Sequence, residues 1–235
     1  MYWEQTWEQG TQAESLLMLV HELRSPVATS KSMLAALRFL DLEDAQRERF
    51  LSRIECRLDQ LLDLVNEILD LSRAQAGDPL EQSTDLDLVA ETRSVCEPYL
   101  DDARLKGLAL SLDLPESPVR ACMAEQVYHL ILSNLVSNAV KYTQAGAVCV
   151  TLRQDGSWAN LEVEDSGMGI PQDELPQLFT EFFRASNARR SQIPGTGLGL
   201  AGVKALVDRC EGTLEMDSEE HVGSRFTVRL PLCQA

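Results

Sequence analysis

No apolar run in this sequence approaches the roughly 20 residues that span a bilayer. The longest, such as Leu16 to Val20, are far shorter, and no secretory signal precedes them. A segment without direct membrane insertion is expected. Basic blocks are missing too. Lys and Arg number 21 against 37 Asp and Glu, so the net charge of −16 repels polyanions. That argues against nucleic acid and anionic membrane surfaces as partners. Any bound phosphate must be held locally, by backbone amides, a metal ion or a few basic side chains. The six cysteines, Cys56, Cys96, Cys122, Cys149, Cys210 and Cys233, include no CxxC pair and no zinc-ligand spacing with histidine. They read as reduced cytosolic thiols, with disulfides the weaker alternative, because a chain this long needs no staples. Redox sensing by one thiol stays open.

What is present divides into two regions. From Ala13 to about Leu40, apolar residues fall at Leu16, Val20, Leu23, Val27, Leu34 and Leu37, spaced alternately by four and three with Ser30 filling one place. Leu51, Ile54, Leu58, Leu61, Val65 and Ile68 repeat the pattern. Each is the seam of a long amphipathic helix, and Asp41 to Asp44 is the turn between them. A lone hairpin has little on which to bury such stripes, whereas two make a closed four-helix bundle. A homodimer is favoured over packing against the rest of the same chain. Ala76-Gly77-Asp78-Pro79 stops the second helix, and this places one domain at residues 1–78 and another at 79–235.

Beyond the linker the pattern is mixed. Helices are expected at Asp87 to Lys106, Glu125 to Tyr142 and Leu200 to Arg209. Strands are expected at Leu108 to Leu114, Val148 to Arg153, Leu161 to Glu164, Thr213 to Met216 and Arg225 to Leu230. The implied architecture is one mixed sheet covered by helices.

Asn134, Asn138 and Lys141 share one face of the expected helix at Glu125 to Tyr142. They either face solvent as an ordinary polar stripe, or bind Mg²⁺ through amide oxygens while the lysine meets phosphate. Asp165-Ser166-Gly167-Met168-Gly169 follows a strand, and its glycines permit a sharp backbone path close to a flat ligand. Asp165 can there accept a hydrogen bond from an amino group, although an ordinary turn would look the same. Gly195-Thr196-Gly197-Leu198-Gly199 opens a helix whose first amides can cradle an anion. It is not a dinucleotide fingerprint, because Pro194 and a polar loop, not a strand, lead into it.

The order Asn134/Asn138, Asp165/Gly167/Gly169, Phe179/Phe182/Phe183, Gly195/Gly197/Gly199 resembles the successive boxes of sensor histidine kinases. His21-Glu22-Leu23-Arg24-Ser25-Pro26 resembles that family's phosphoacceptor box, so the likeness covers almost the whole chain. It implies a helical hairpin forming a dimeric four-helix bundle, followed by an α/β sandwich of the Bergerat ATP-binding type. By motif position, Asn138 would ligate Mg²⁺ with help from Asn134, Lys141 would contact phosphate, and Asp165 would bind the adenine amino group. Tyr142 would lie against the base, and Phe179 to Gly199, including Thr196 and Leu198, would form a lid over the phosphates. Arg184, Arg189 and Arg190 supply positive charge there.

His21 is then the phosphoacceptor, with Glu22 polarising the imidazole as a general base. Pro26 removes an amide donor and favours a bend beside it. Ser25 stands where threonine or asparagine is common and bears on phosphatase activity toward the regulator. His129 and His221 read as ordinary histidines. The resemblance implies ATP and Mg²⁺ as cofactors and a response-regulator receiver domain as partner. It also implies an upstream sensory domain, so the segment is either cytoplasmic or the cytoplasmic part of a membrane-bound sensor. The rivals are a pseudokinase scaffold and an ATPase of the gyrase or chaperone type. All of His21, Asn138 and Asp165 are present against the first, and no glutamate base stands at Ser133-Asn134 for the second.

Overall fold

Seven-residue spacing sorts the apolar positions of the first region into two rows, and they meet different surroundings. The computed structural model describes residues 20, 23–39, 42–75, 84–191, 193 and 195–233, which fall into a helical unit and an α/β unit. The helical unit holds α1 (residues 23–39) and most of α2 (Asp44–Gln75). Leu23, Ser30 and Leu37 on α1, and Ile54, Leu61 and Ile68 on α2, are buried or half-buried within the hairpin. The other row, Val20, Val27 and Leu34 with Leu51, Leu58 and Val65, stays 39% to 48% exposed. The Gln46 side chain accepts the Glu43 amide at 3.2 Å, half of a capping box that starts α2. The linker expected at Ala76 to Pro79, the boundary at 78/79 and the bend beside His21 lie outside the described residues.

In the α/β unit, β1 (Thr84–Asp87) leads directly into α3 (Leu88–Lys106), then β2 (Ala109–Asp113), β3 (Arg120–Met123) and α4 (Glu125–Tyr142). Asp87 caps α3 by accepting from the Val89 amide at 3.0 Å. Gly107, at φ 72°, ends α3 in the left-handed conformation that suits glycine. β4 (Ala147–Asp155), β5 (Trp158–Asp165), α5 (Ser186–Arg190), α6 (Gly199–Arg209), β6 (Thr213–Glu219) and β7 (Gly223–Pro231) follow. The main sheet runs β2-β4-β5-β7-β6, with β2 parallel to β4 and every other pair antiparallel.

Period-two alternation buries Val148, Val150 and Leu152 on β4, Ala159, Leu161 and Val163 on β5, and Phe226, Val228 and Leu230 on β7. α4 packs over β4 and β5 and between α3 and α6, burying Tyr128, Ile131, Leu132, Leu135, Val136, Ala139 and Val140. Within that layer the Tyr128 hydroxyl pairs with Thr92 Oγ1 at 2.6 Å, so the buried phenol has a partner.

Two expectations are corrected. The sheet is not alone: β1 and β3 form a separate antiparallel pair. Neither strand showed in the sequence, because a run of only four residues is too short for its alternation to be read. Second, the cysteines are not all reduced, since Cys122 and Cys233 form a disulfide with their Cα atoms 5.0 Å apart. The chain end runs back beside β3, where the Cys233 amide meets the Arg120 carbonyl at 3.4 Å. A separation of 111 residues hides that proximity from any local pattern.

Closing so long a loop restrains the unfolded chain by at most about 4 to 5 kcal/mol. Cys233→Ser should therefore lower the denaturation midpoint in non-reducing buffer, and the difference from wild type should vanish in excess reductant. Denaturant titrations of both proteins, with and without reductant, check this.

Candidate functional site

The alternation that buries Ala159, Leu161 and Val163 continues one step and puts a carboxylate, Asp165, into the same inward row at the end of β5. Asp165 is 8% exposed. Desolvation dominates its ionisation and pushes the carboxyl up to about 6, against the lowering effect of backbone amides from Gly167 and Ser224. The Gly167 amide donates to Oδ1 at 2.8 Å, which fixes the carboxylate's orientation.

Gly167 is glycine for a visible reason. A Cβ there would lie 2.6 Å from the Tyr142 carbonyl, 2.7 Å from Asp165 Oδ1 and 2.9 Å from Thr143 Oγ1. The turn is thus pressed against the end of α4, and the Met168 amide bonds the Tyr142 carbonyl at 3.2 Å. Gly169, at φ 61°, passes so close to the Glu219 carbonyl that no side chain fits. Thr143 Oγ1 is buried without a hydrogen-bond partner, a polar atom left over beside Asp165.

On α4, Asn134, Asn138 and Lys141 are all half-buried. Asn134 donates through Nδ2 to the Leu130 carbonyl at 2.9 Å, and its Oδ1 lies where a side chain on Gly199 would intrude. That contact brings the start of α6 onto the asparagine face. The Asn138 amide has no hydrogen-bond partner among the described residues, and Lys141 Nζ sits 5.6 Å from the Tyr142 ring centre. Oxygen donors from amides beside a cation suit a magnesium–phosphate pair.

The segment from Phe179 to Gly199 is held at several points. Phe179 and Phe183 pack on the core. Phe182 adopts φ 62°, rare for a bulky residue, and its amide bonds the Gly197 carbonyl at 3.0 Å. Gly197, at φ 81°, has no room for a Cβ beside the Phe182 and Phe183 backbones. Arg184 donates to the Ile193 carbonyl, while its buried Nε has no partner. Leu198 is buried; Gly195 and Thr196 are half-buried; Arg189 and Arg190 are exposed.

Four residues at this site escaped the sequence reading. Asn187 is buried and donates to the Gly169 carbonyl at 2.9 Å, tying α5 to the Asp165 turn. Glu174 Oε2 accepts the Ser186 amide at 2.8 Å and so caps α5 from a distance. Thr143 and Ser224 flank Asp165. Only Ser224 left a signal, as a small polar residue in the inward row that Phe226, Val228 and Leu230 continue. Of the remaining expected residues, His21 and Glu22 lie outside the described residues. Ser25 is exposed on α1, its carbonyl accepting from Thr29 Oγ1 at 2.9 Å.

A helical hairpin is followed along the chain by a sheet unit that carries an asparagine helix, a buried aspartate and two glycine turns. Residues 124–234 match the family model "Histidine kinase-, DNA gyrase B-, and HSP90-like ATPase", and residues 11–77 match "His Kinase A (phospho-acceptor) domain". The sensor histidine kinase RcsC of Escherichia coli strain K12 is 31% identical over 228 residues, covering 96% of this chain and 24% of its own length. The chain thus spans about a quarter of that relative. The histidine kinase AdeS of Acinetobacter baumannii superposes with a TM-score of 0.68 at 25% identity, over 91% of this chain and 98% of the solved AdeS chain. Full-length ShkA in complex with AMPPNP gives 0.67 at 29% identity, over 94% of this chain and 46% of ShkA. The chain belongs to the sensor histidine kinases of two-component systems. No helix among the described residues is long and apolar enough to cross a membrane.

The Asp165 carboxyl generates a stability prediction. Its folded value, about 6, exceeds the ordinary 3.8, so the folded chain holds a proton that the unfolded chain releases between those pH values. Stability falls as pH rises through that window, and at pH 7 the ionised group costs up to about 3 kcal/mol. Asp165→Asn should raise the melting temperature at pH 7.5, lose that advantage near pH 4, and weaken ATP binding at both. Calorimetric melting and nucleotide titration check the pair.

Proposed function

We propose that this chain is an ATP-dependent kinase of its own His21, passing the phosphoryl group on to an aspartate of a response-regulator receiver domain. One observation carries the reading: the buried carboxylate of Asp165 is held by Gly167 at the end of the helix bearing Asn134, Asn138 and Lys141. A desolvated, oriented carboxylate beside a glycine turn selects a flat base with an exocyclic amine, which fits adenine. Its cost to folding is what a binding group, not a structural one, would carry.

ATP is the phosphoryl donor. Asn138, aided by Asn134, holds Mg²⁺, which neutralises phosphate charge when bound. Lys141 meets phosphate oxygens, Tyr142 lies against the base, and the glycine turn at Gly195 to Gly199 gives backbone amides to the phosphates. Thr196 and Leu198 belong to that turn. Arg184, with an unsatisfied buried donor, supplies a cation to the lid. Glu22 takes the imidazole proton as His21 attacks, a nitrogen–phosphorus bond forms, and the bond from the γ-phosphorus to the bridging oxygen breaks to release ADP. Ser25, exposed near His21 in sequence, orients water for the reverse task of dephosphorylating the regulator.

The exposed row on the hairpin supports a homodimer: Val20, Val27, Leu34, Leu51, Leu58 and Val65 recur every seven residues and lack cover in one protomer. Residues 1–78 are the dimerisation and phosphotransfer domain and 79–235 the ATP-binding domain. A sensory domain upstream and a cytoplasmic setting complete the proposal.

With Mg²⁺ and γ-labelled ATP, the chain should acquire acid-labile, alkali-stable phosphate. His21→Ala should remove the label while nucleotide affinity stays within about twofold; label that persists would move the acceptor elsewhere. Independently, Leu58→Glu should convert the dimer to a monomer in light scattering at tens of micromolar, because a carboxylate in a dry seam must lose its charge or open the interface. A wild-type monomer would overturn the bundle.

A further inference from the structure

We propose that Glu91, Glu125 and His129 form a binding site for one divalent transition-metal ion of the zinc type, separate from the nucleotide's Mg²⁺. Glu125 and His129 stand four apart on α4 and therefore on one face, and Glu91 reaches them from the first turn of α3. His129 Nε2 lies 2.6 Å from Glu91 Oε2 and 3.9 Å from Glu125 Oε1. All three donor atoms fall within 4.8 Å of one another. Ligands about 2.0 to 2.2 Å from a tetrahedral zinc are separated by roughly 3.3 Å, a value the two distances to histidine bracket. Small rotamer changes in half-exposed side chains close the remaining gap.

Charge argues the same way. His129 Nε2 is within hydrogen-bond reach of one carboxylate, Glu91, while a second, Glu125, stands just beyond that reach. Among the described residues, neither Glu91 nor Glu125 pairs with lysine or arginine, in a chain of net charge −16. The cluster is a pair of carboxylates and an imidazole with no lysine or arginine among them. An imidazole ligand favours zinc-like ions over Mg²⁺, which prefers oxygen throughout. Open coordination positions go to water, since Glu125 is exposed.

The location gives the ion a distinct task. His129 neighbours Tyr128, whose hydroxyl bonds Thr92, the residue after Glu91. The ion would therefore clamp α3 to α4 at a seam already joined by a buried hydrogen bond. Asn138 lies nine positions beyond His129, about half a turn round the helix, so the site faces away from the magnesium ligand. His129 is then a metal ligand, not the ordinary histidine it resembles in the sequence.

The test is calorimetric titration of ZnCl₂ into the full chain, with Mg²⁺ present and nucleotide absent. Wild type should bind one equivalent that His129→Ala, Glu91→Gln and Glu125→Gln each weaken at least about tenfold. The same Zn²⁺ should raise the melting temperature of wild type and not of His129→Ala. Should His129→Ala prove unfolded by circular dichroism, the exposed Glu125→Gln decides. Absence of a one-equivalent event, or equal affinity in folded variants, overturns the site and assigns any zinc to the free cysteines.

Discussion

Burial of a single carboxylate organises the α/β unit. β5 must alternate to cover its share of the core, and the rhythm that places Leu161 and Val163 inward carries Asp165 inward with them. Two backbone amides partly offset its lost hydration. The strand partner offers the Ser224 amide, the following turn offers the Gly167 amide, and the turn can approach only because Gly167 has no side chain to strike Tyr142 and Thr143. The end of α4 is thereby drawn against the same turn. The asparagines four and eight residues back along the helix inherit their position from this contact.

A second constraint shapes the segment from Phe179 to Gly199. Its polar ties to the rest of the unit include Asn187 to the Gly169 carbonyl, Glu174 to the first turn of α5 and Arg190 to Glu220. Phe179 and Phe183 provide apolar anchorage, while Phe182 holds a left-handed backbone between them.

Much of this was legible in the sequence, for identifiable reasons. Helix α4 is apolar on one side and polar on the other over its full length, and its bounds emerge as expected at Glu125 and Tyr142. The main strands alternate cleanly, and the four motifs lie in an order that few proteins share. What stayed hidden depends on distant partners. β1 and β3 acquire strand character only from each other. Asn187 carries no signal of its own until Gly169 is beside it, and Cys122 meets Cys233 across a separation of 111 residues. The hairpin shows the converse. Its stripes were evident, but which half of each stripe faces inward required the fold: Ile54 is buried whereas Leu58, one turn on, is exposed.

The bond between Cys122 and Cys233 also changes the connectivity of the molecule. It turns residues 122 to 233 into a covalent ring that contains the asparagine helix, the Asp165 turn and the lid. A protease that cuts once anywhere in that ring, including the exposed Arg189-Arg190 pair, opens the ring without dividing the molecule. The two pieces would remain joined, migrate together and part only when a reductant is added.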